Sequence, residues 1–244
     1  MGLTSENVAK KYGIDRQMQD KLAFESHQKA AIAIKNGWTA KEITPYKTFV
    51  KDEKGDTKEV VVDIDDGCRP QTSMESLSKL KPVFVKDGSG TTTAGNSSQV
   101  TDGAAVILLT RRDVANKLGC KILGRFLSFA VAGVPPKVMG IGPAYAIPAA
   151  LKKCGLSIPD IDIFEINEAF ASQATYCVQH LGVPKDKLNP RGGAIAMGHP
   201  LGMTGARMIV TLFSELERTN QKRGLVSMCI GTGMGACGVF EREE

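Results

Sequence analysis

The chain has few of the features that nucleic-acid-binding proteins usually share. Only 6% of its 244 residues are aromatic, and the sequence contains no dense run of Lys and Arg. Proteins that bind nucleic acids typically combine clustered basic side chains with aromatic rings that stack on bases. The net charge of +5 fits attraction of an anionic small molecule, although a surplus this small is usual for a solvated surface. We therefore expect no nucleic acid as a partner.

Long hydrophobic runs and metal-site spacings are also missing. No apolar stretch approaches the roughly 20 residues of a membrane-spanning helix, and the residues after Met1 do not resemble a signal peptide. The six cysteines include no CxxC pair, and the three histidines are scattered without zinc-ligand spacing. The sequence therefore predicts an intracellular protein with reduced thiols, no membrane span and no metal site.

The chain does contain alternating helix and strand patterns. Charged residues dominate 37–60 and predict an exposed excursion, whereas the apolar segment 104–110 predicts a buried strand or the helix that leads to one. The strands are predicted over 43–50, 60–64, 122–134, 160–166, 225–229 and 237–240, and the longer helices over 16–36, 143–153 and 203–216, with another that ends at 181. This succession predicts a layered α/β fold.

Local signals predict where several helices begin and end. Thr4 or Ser5 suits the N-cap of a first helix that ends at Gly13. Asp15 suits the N-cap of the next helix, and Asp113 that of a later one. Side-chain oxygens of these residue types accept hydrogen bonds from free N–H groups of the first turn.

Two glycine-rich segments, 192–200 and 228–235, are the most informative part of the chain. Ten of its 26 glycines lie between Gly192 and Gly238. Glycine allows a ligand to approach the backbone closely. Each segment carries one side chain that can transfer a proton, His199 or Cys229. This combination favours acyl-transfer or carbon–carbon bond chemistry over a packing motif.

His199 precedes Pro200, which suits the first position of a helix. A helix N-terminus disfavours the cationic form of a histidine, so we expect a neutral imidazole. Such a ring can accept a proton or donate a hydrogen bond to an oxyanion. A single histidine is more often structural, and that alternative remains open at this point.

Cys229 follows an apolar strand and precedes three alternating glycines. One interpretation is a thiol that exchanges its proton with a substrate, aided by backbone N–H groups of the turn. The alternative is a small buried hydrophobic residue. Phosphate binding by 231–235 has less support, because the turn leads into a strand and no Lys-Ser/Thr pair follows it.

Two further polar segments follow or precede predicted elements. Asn167 and Glu168 come directly after a strand, where ligands gather in α/β proteins. Asn167 suits the orientation of a water molecule, and Glu168 suits the fixing of nearby loops. The hydroxyl-rich segment 91–98 is a further candidate for a functional loop, and a flexible linker is an equally good interpretation of it.

Taken together, these segments resemble the thiolase family, most closely the 3-ketoacyl-CoA thiolases of peroxisomal type. The matching motifs are Asn167-Glu168-Ala169-Phe170-Ala171, the run 192–207 with Gly198-His199-Pro200, the run 229–235, the run 93–98 and the opening residues 1–7. The resemblance covers essentially the whole chain. It implies a thiolase-like layered fold in which 1–116 form a loop domain and a truncated N-terminal domain, and 117–244 form a complete C-terminal domain.

The resemblance also implies residue roles. His199 matches the histidine that activates a nucleophilic cysteine, and Asn167 matches the asparagine that holds the water of the first oxyanion site. Cys229 matches the thiol that carries a proton to and from the acetyl carbon, and Gly231 matches a backbone donor of the second oxyanion hole. Carbon–carbon cleavage leaves an enolate, which needs charge stabilisation and a nearby acid.

Coenzyme A is implied as a substrate, with no covalently bound cofactor. Ala94, Gly95 and Ser98 match the loop that lines the pantetheine channel, and Arg69 matches, more loosely, a residue near the CoA phosphates. Acyl-CoA and CoA are the implied ligands, a homodimer the implied assembly, and the peroxisome the implied compartment, with the mitochondrion or cytoplasm as alternatives.

The nucleophilic cysteine of the family is expected upstream of the segment that matches Met1-Gly2. Cys68 and Cys120 lie in other sequence contexts. The favoured function is therefore that of a 3-ketoacyl-CoA thiolase in fatty-acid β-oxidation whose nucleophile lies outside this chain. The alternatives are a truncated protein that binds CoA or another thiolase without catalysis, and a biosynthetic thiolase that forms acetoacetyl-CoA.

Overall fold

The computed structural model describes residues 1–243 and confirms the α/β class. Its helices are α1 Gly2–Tyr12, α2 Arg16–Lys35, α3 Met74–Ser78, α4 Arg112–Leu118, α5 Gly142–Lys153, α6 Ala171–Leu181, α7 Ala194–Met197 and α8 Thr204–Thr219. Its strands are β1 Tyr46–Lys51, β2 Thr57–Val62, β3 Gly124–Gly133, β4 Ile163–Ile166, β5 Arg223–Ile230 and β6 Met234–Arg242. None of the helices within residues 1–243 is long and apolar enough to cross a membrane.

A mixed four-stranded sheet with the order β3-β6-β5-β4 forms the centre of the C-terminal half. The β5–β6 pair is antiparallel, and Ile230 lies opposite Met234 across the short glycine turn, as predicted from the sequence. The β4–β5 pair is parallel, with Ile166 opposite Ser227. The carboxyl ends of β4 and β5 therefore lie side by side at one edge of the sheet.

Helices cover both faces of this sheet. On one face, Phe164 and Leu225 pack in a cluster with Ile147 of α5. On the other face, Ile163 and Phe240 pack with residues of α8, including Leu212. Burial of each large apolar side chain stabilises the fold by roughly 1.5–3 kcal/mol, so these two clusters hold the sheet between the helices.

The short strand β4 is buried at all four positions. The sequence predicted a longer strand over 160–166. In the structure the strand begins only at Ile163, and Glu165 within it is 3% exposed. A strand covered on both faces needs no polar alternation.

Capping predictions were partly correct. Asp15 accepts a hydrogen bond from the backbone N–H of Met18 at 2.7 Å and caps α2 as expected. The expected cap at Thr4 or Ser5 was wrong, because α1 begins at Gly2. Ser5 is instead buried, and its hydroxyl bonds to that of Thr92 at 2.7 Å. Asp113 lies inside the first turn of α4 and is not its N-cap.

The prediction of a buried strand or helix over 104–110 was wrong. This segment has no regular secondary structure, and Val106 is 89% exposed. A strand needs a neighbour to pair its N–H and C=O groups. No strand of residues 1–243 pairs with this segment, so its apolar composition alone does not make it a strand.

The charged excursion after α2 is a hairpin, as predicted. β1 and β2 pair antiparallel, with Tyr46 opposite Val62. The turn at its tip is closed by the Asp52 carboxylate, which accepts hydrogen bonds from the backbone N–H groups of Lys54 and Asp56 at 2.9 and 3.0 Å. The hairpin pairs with neither edge of the four-stranded sheet.

Candidate active site

Three chain segments bring Asn167, His199 and Cys229 to the carboxyl edge of the sheet. Asn167 directly follows β4, and its backbone N–H donates to the carbonyl of Ser227 in β5 at 2.9 Å. Cys229 lies two residues further along β5. His199 arrives from the loop after α7. The edge at which parallel strands end is where α/β proteins commonly bind ligands.

Asn167 and His199 are in direct contact, because the amide Nδ2 lies 3.3 Å from the imidazole Nε2. An amide NH2 group is a donor only, so Nε2 accepts and carries no proton. The other ring nitrogen, Nδ1, therefore carries the proton and donates to the hydroxyl of Thr204 at 2.6 Å. This network assigns His199 the neutral tautomer protonated at Nδ1.

The environment of His199 favours its neutral form. Burial lowers the pKa of the imidazole from its ordinary value. The backbone N–H of His199 also donates to the carbonyl of Gln99 at 2.8 Å, which fixes the loop. A neutral ring with an unprotonated Nε2 directed toward Asn167 can accept a proton from a thiol.

Cys229 is a protonated thiol at the end of β5. Burial raises its pKa to about 11, so the thiol keeps its proton at neutral pH. The Sγ–H group donates to Oε1 of Gln173, a residue of α6, at 3.4 Å. A buried thiol of this kind suits the donation and recovery of a proton better than nucleophilic attack.

Gly231 lies in the exposed turn between β5 and β6, two residues beyond Cys229. The turn is held by residues with left-handed backbone conformations, since φ is 72° at Thr232 and 109° at Gly233. A Cβ at Gly233 would lie 2.4 Å from the carbonyl oxygen of Val134. The turn therefore depends on glycine for its shape, and the role of Gly231 as an oxyanion donor remains a prediction.

The loop with Ala94, Gly95 and Ser98 packs beside the same edge. Ser98 donates its backbone N–H to the carbonyl of Ala169 at 3.1 Å, two residues after Asn167. A Cβ on Gly95 would lie 2.5 Å from a methyl group of Leu80, so the close approach at this glycine is to α3 and its C-terminal end. Ala94 is exposed. Contact of these residues with a pantetheine chain stays a prediction.

Arg69 is exposed, and among the described residues its side chain makes no contact with the His199 cluster. Its segment is nevertheless tied to that cluster through Gln99. The side-chain amide of Gln99 donates to the backbone carbonyl of Gly67 at 2.9 Å. The backbone carbonyl of Gln99 accepts from the backbone N–H of His199. This arrangement places the backbone of the Arg69 segment near the site, and a role of Arg69 near CoA phosphates stays a prediction.

Glu168 is buried next to Asn167 and connects α2, α7 and the loop before α7. Its carboxylate accepts from the Ser26 hydroxyl at 2.6 Å, from the Asn189 amide at 2.9 Å and from the backbone N–H of Ile195 at 3.3 Å. Burial raises its pKa, and these hydrogen bonds oppose that shift. The contacts agree with the interpretation that Glu168 fixes nearby loops.

Sequence reasoning did not identify Gln173, Thr204 or Glu165 as part of the site. Thr204 is five residues after His199 at the start of α8, a spacing that offered a weak signal. Glu165 lines a cavity of about 20 Å³ together with Asn167, and burial raises its pKa well above the ordinary carboxyl value. No group of three or more possible metal-ligating side chains occurs among residues 1–243.

Two family models match almost the whole chain. The model described as "Thiolase, N-terminal domain" matches residues 1–113, and that described as "Thiolase, C-terminal domain" matches residues 120–242. Peroxisomal 3-ketoacyl-CoA thiolase B of Rattus norvegicus is 64% identical over 242 residues, which are 99% of this chain and 57% of that protein. The human peroxisomal 3-ketoacyl-CoA thiolase is 61% identical, with coverage of 99% and 57%.

Solved structures give the same result for the fold. The acetyl-CoA acetyltransferase of Bacillus anthracis matches with a TM-score of 0.93 at 41% identity, over 100% of this chain and 60% of that one. The dimeric peroxisomal thiolase of Saccharomyces cerevisiae matches with a TM-score of 0.87 at 52% identity, over 100% and 59%. The chain thus spans somewhat more than half the length of the relatives it matches. It belongs to the thiolase family and has the layered α/β fold of that family.

Proposed function

We propose that this chain supplies the histidine, oxyanion and acid/base part of a 3-ketoacyl-CoA thiolase site. The reaction converts a 3-ketoacyl-CoA and free CoA into acetyl-CoA and an acyl-CoA that is two carbons shorter. The observation that carries the proposal is that the ends of the parallel strands β4 and β5 place Asn167, which contacts the neutral His199, beside the protonated Cys229. One group is ready to accept a proton, and the other is ready to give one.

His199 serves the first step. Its unprotonated Nε2 takes the proton of a nucleophilic thiol, and the resulting N–H then donates to the thioester oxygen of the acyl chain. Asn167 shares this position, because its amide contacts Nε2 at 3.3 Å. Together the two side chains offer N–H donors to the negative charge that develops on the oxygen.

Cys229 acts in the step that cleaves the carbon–carbon bond. Cleavage of a 3-ketoacyl thioester leaves the electron pair of that bond on the acetyl carbon as an enolate. The S–H bond of Cys229 breaks as a C–H bond forms at that carbon, which releases acetyl-CoA. The proton of the incoming CoA thiol then restores Cys229. The backbone N–H groups of the turn with Gly231 stabilise the other oxyanion of this scheme, which forms on the 3-keto oxygen when the nucleophile attacks that carbon.

The nucleophile is proposed to come from outside these residues. A nucleophilic cysteine has a lowered pKa or an adjacent base. Burial instead raises the pKa of Cys68, Cys177 and Cys237, and Cys229 already has the acid/base role. The family resemblance assigns the nucleophile to a segment upstream of Met1.

The family and its relatives support several further proposals. CoA acts as a substrate through Ala94, Gly95, Ser98 and Arg69, and the protein needs no covalently bound cofactor. The full protein acts in fatty-acid β-oxidation. It acts in the peroxisome, which is the compartment that the names of its mammalian relatives give for those proteins. It forms a homodimer, as the yeast thiolase does. Within the chain, 1–116 and 117–244 form the two domains.

A partial reaction tests the proposal without requiring the nucleophile. Acetyl-CoA is incubated with the chain in D2O, and exchange of its methyl hydrogens is followed by NMR. Exchange needs a base at the methyl carbon and donors at the thioester oxygen, so we expect it to be lost in Cys229→Ala and in His199→Ala. No exchange despite measurable CoA binding would favour a binding protein without catalysis.

Thiolysis itself needs the nucleophile, so it is measured on a protein that contains this chain together with that cysteine, with acetoacetyl-CoA and with a longer 3-ketoacyl-CoA, each with free CoA. Preference for the longer substrate supports the degradative activity. Preference for acetoacetyl-CoA, or formation of acetoacetyl-CoA from acetyl-CoA, would instead support the biosynthetic alternative; the Bacillus anthracis relative is named an acetyl-CoA acetyltransferase.

A further inference from the structure

Gln173 connects the two strand ends that carry the proposed site. It lies in the first turn of α6 and is 1% exposed. Its Nε2 donates to the backbone carbonyl of Asn167 at 3.2 Å, and its Oε1 accepts from the Sγ–H group of Cys229 at 3.4 Å. One side chain thus contacts both the segment after β4 and the end of β5.

The two contacts fix which way the Gln173 amide faces. The partner at Asn167 is a carbonyl oxygen, which can only accept, so the amide must present its NH2 group there. A reversed amide would place two oxygens against each other at that contact. The carbonyl oxygen of Gln173 therefore has to face Cys229, and the Cys229 thiol has to donate its proton to it.

Packing prevents Gln173 from leaving this position. A Cβ built on Gly140 would lie 2.6 Å from the Cβ of Gln173, so the glycine provides the space that the glutamine occupies. Gly140 is held in turn by Cys177 of α6, whose thiol donates to the Gly140 carbonyl at 3.6 Å. The glutamine is enclosed by its own helix and by the 3₁₀ segment Pro136–Ile141.

We propose that Gln173 is a positioning residue that holds the S–H bond of Cys229 in a fixed direction and keeps this thiol protonated between proton transfers. The proposal rests on the acid/base role given to Cys229 under the proposed function. A carbonyl oxygen that accepts from the thiol stabilises the neutral form and disfavours the thiolate. The thiolate left after protonation of the acetyl carbon is therefore a strong base, suited to recover a proton.

The surroundings of Cys229 make this effect of Gln173 measurable. Burial is the main cause that raises the pKa of the thiol, and no charged side chain of residues 1–243 contributes to the shift. The titratable group coupled to it is the thiol of Cys177, itself protonated because burial raises its pKa. A change at position 173 is therefore not masked by a nearby charge.

The test measures the thiol directly and needs no turnover. The pH dependence of iodoacetamide modification at Cys229 is followed by mass spectrometry of the tryptic peptide Gly224–Arg242, in which buried Cys237 is an internal reference for opening of the fold. The variants are Gln173→Met, which removes the acceptor, and Gln173→Glu, which adds a negative charge. Gln179→Met, an exposed change on the same helix, is the matched control.

We expect the pKa of Cys229 to fall in Gln173→Met and to rise in Gln173→Glu. Loss of one hydrogen bond corresponds to an increase in modification rate of about two- to tenfold at fixed pH below the pKa. Gln179→Met should match the wild type. Equal rates at Cys229 in the wild type and Gln173→Met, with Cys237 equally protected in both, would overturn the proposal.

A second measurement covers variants that fail to fold. The S–H stretching band of Cys229 is isolated in the wild type by an infrared difference spectrum against Cys229→Ser. A band at the frequency of a hydrogen-bonded thiol supports the proposal, and a band at the frequency of a free thiol contradicts it. Both measurements use the chain without substrate, so their outcome is separate from the exchange assay that tests the function.

Discussion

The side-chain amide of Asn167 lies 3.3 Å from Nε2 of His199, although 32 residues separate them in the sequence. This contact determines the tautomer of the histidine, because the amide NH2 group can only donate. The proton is thereby placed on Nδ1, where Thr204 accepts it at 2.6 Å. The nitrogen that is free to act as a base is the one that faces the strand edge.

Thr204→Val should weaken this arrangement. Valine keeps the shape of threonine but removes the acceptor for Nδ1–H, so the ring loses the hydrogen bond that selects its tautomer. We expect a mixed tautomer population, in which part of the molecules carry the proton on Nε2 and have lost the free base that faces the strand edge. The ¹⁵N chemical shifts of the His199 ring measure the tautomer. A ring that stays protonated at Nδ1 in the variant would show that Thr204 is not responsible.

The capacity of His199 to accept a proton from a thiol should be lost on acidification, as the ring becomes protonated. Burial lowers the pKa of His199 below its ordinary value of 6.5. The neutral form therefore predominates at pH 7 and is lost only as the pH falls through the lowered value. A ¹⁵N or ¹H titration of the ring measures this pKa. A midpoint at or above 6.5 contradicts the prediction.

Glu165→Gln should change how stability depends on pH. Burial raises the folded-state pKa of Glu165 well above 4.5. At pH values below 4.5 both states hold the proton, whereas at higher pH the unfolded chain releases it and the folded protein keeps it. The free energy of unfolding therefore falls as pH rises, until the raised folded value is passed.

Glutamine has no proton to release, so the variant should gain stability relative to the wild type as pH increases. Urea unfolding at about pH 5 and about pH 8 measures this difference. Glu168 and Glu42, whose pKa values are also raised by burial, are present in both proteins, so their effect cancels. If the difference in unfolding free energy between the variant and the wild type did not change with pH, Glu165 would be ionised in the folded protein.

Arg191→Met should destabilise the fold strongly. The Arg191 guanidinium is 1% exposed and pairs with Glu215 at 2.7 Å and with Glu42 at 3.4 Å. Removal of one partner of a buried pair leaves uncompensated charge and typically costs about 3–5 kcal/mol. Lys79→Met breaks the exposed pair with Glu75 and should cost no more than about 1 kcal/mol. If urea unfolding showed equal losses of unfolding free energy in Arg191→Met and Lys79→Met, this prediction would be contradicted.

Gly233→Ala should distort the turn beside Cys229. The residue has a φ of 109°, and an added Cβ would lie 2.4 Å from the Val134 carbonyl oxygen. Strain of this kind costs about 1–3 kcal/mol. Gly202→Ala is the control, because no atom lies within 4 Å of a Cβ built there. We expect a lower Tm and slower exchange for the first variant, and a Tm close to that of the wild type for the second.

Sequence reasoning was most successful where the physics is local. Asp15 and Gly13 lie at helix ends as predicted, because a side-chain cap and a left-handed glycine act within a few residues. The β5–β6 hairpin was also predicted, since its two strands are joined by a short glycine turn. Ser5 was misassigned because its hydroxyl bonds to Thr92 and Ser172, far away in the chain.

The sequence by itself determined the alternation of helices and strands, the family and the placement of His199 and Cys229 in glycine-rich segments. Only the tertiary structure decided that Asn167 contacts His199, that Gln173 accepts from Cys229 across 56 residues, and that 104–110 is exposed and unpaired. Local signals depend on neighbours in the chain. Contacts between distant segments depend on which strands pair and which helices cover them, and no single segment contains that information.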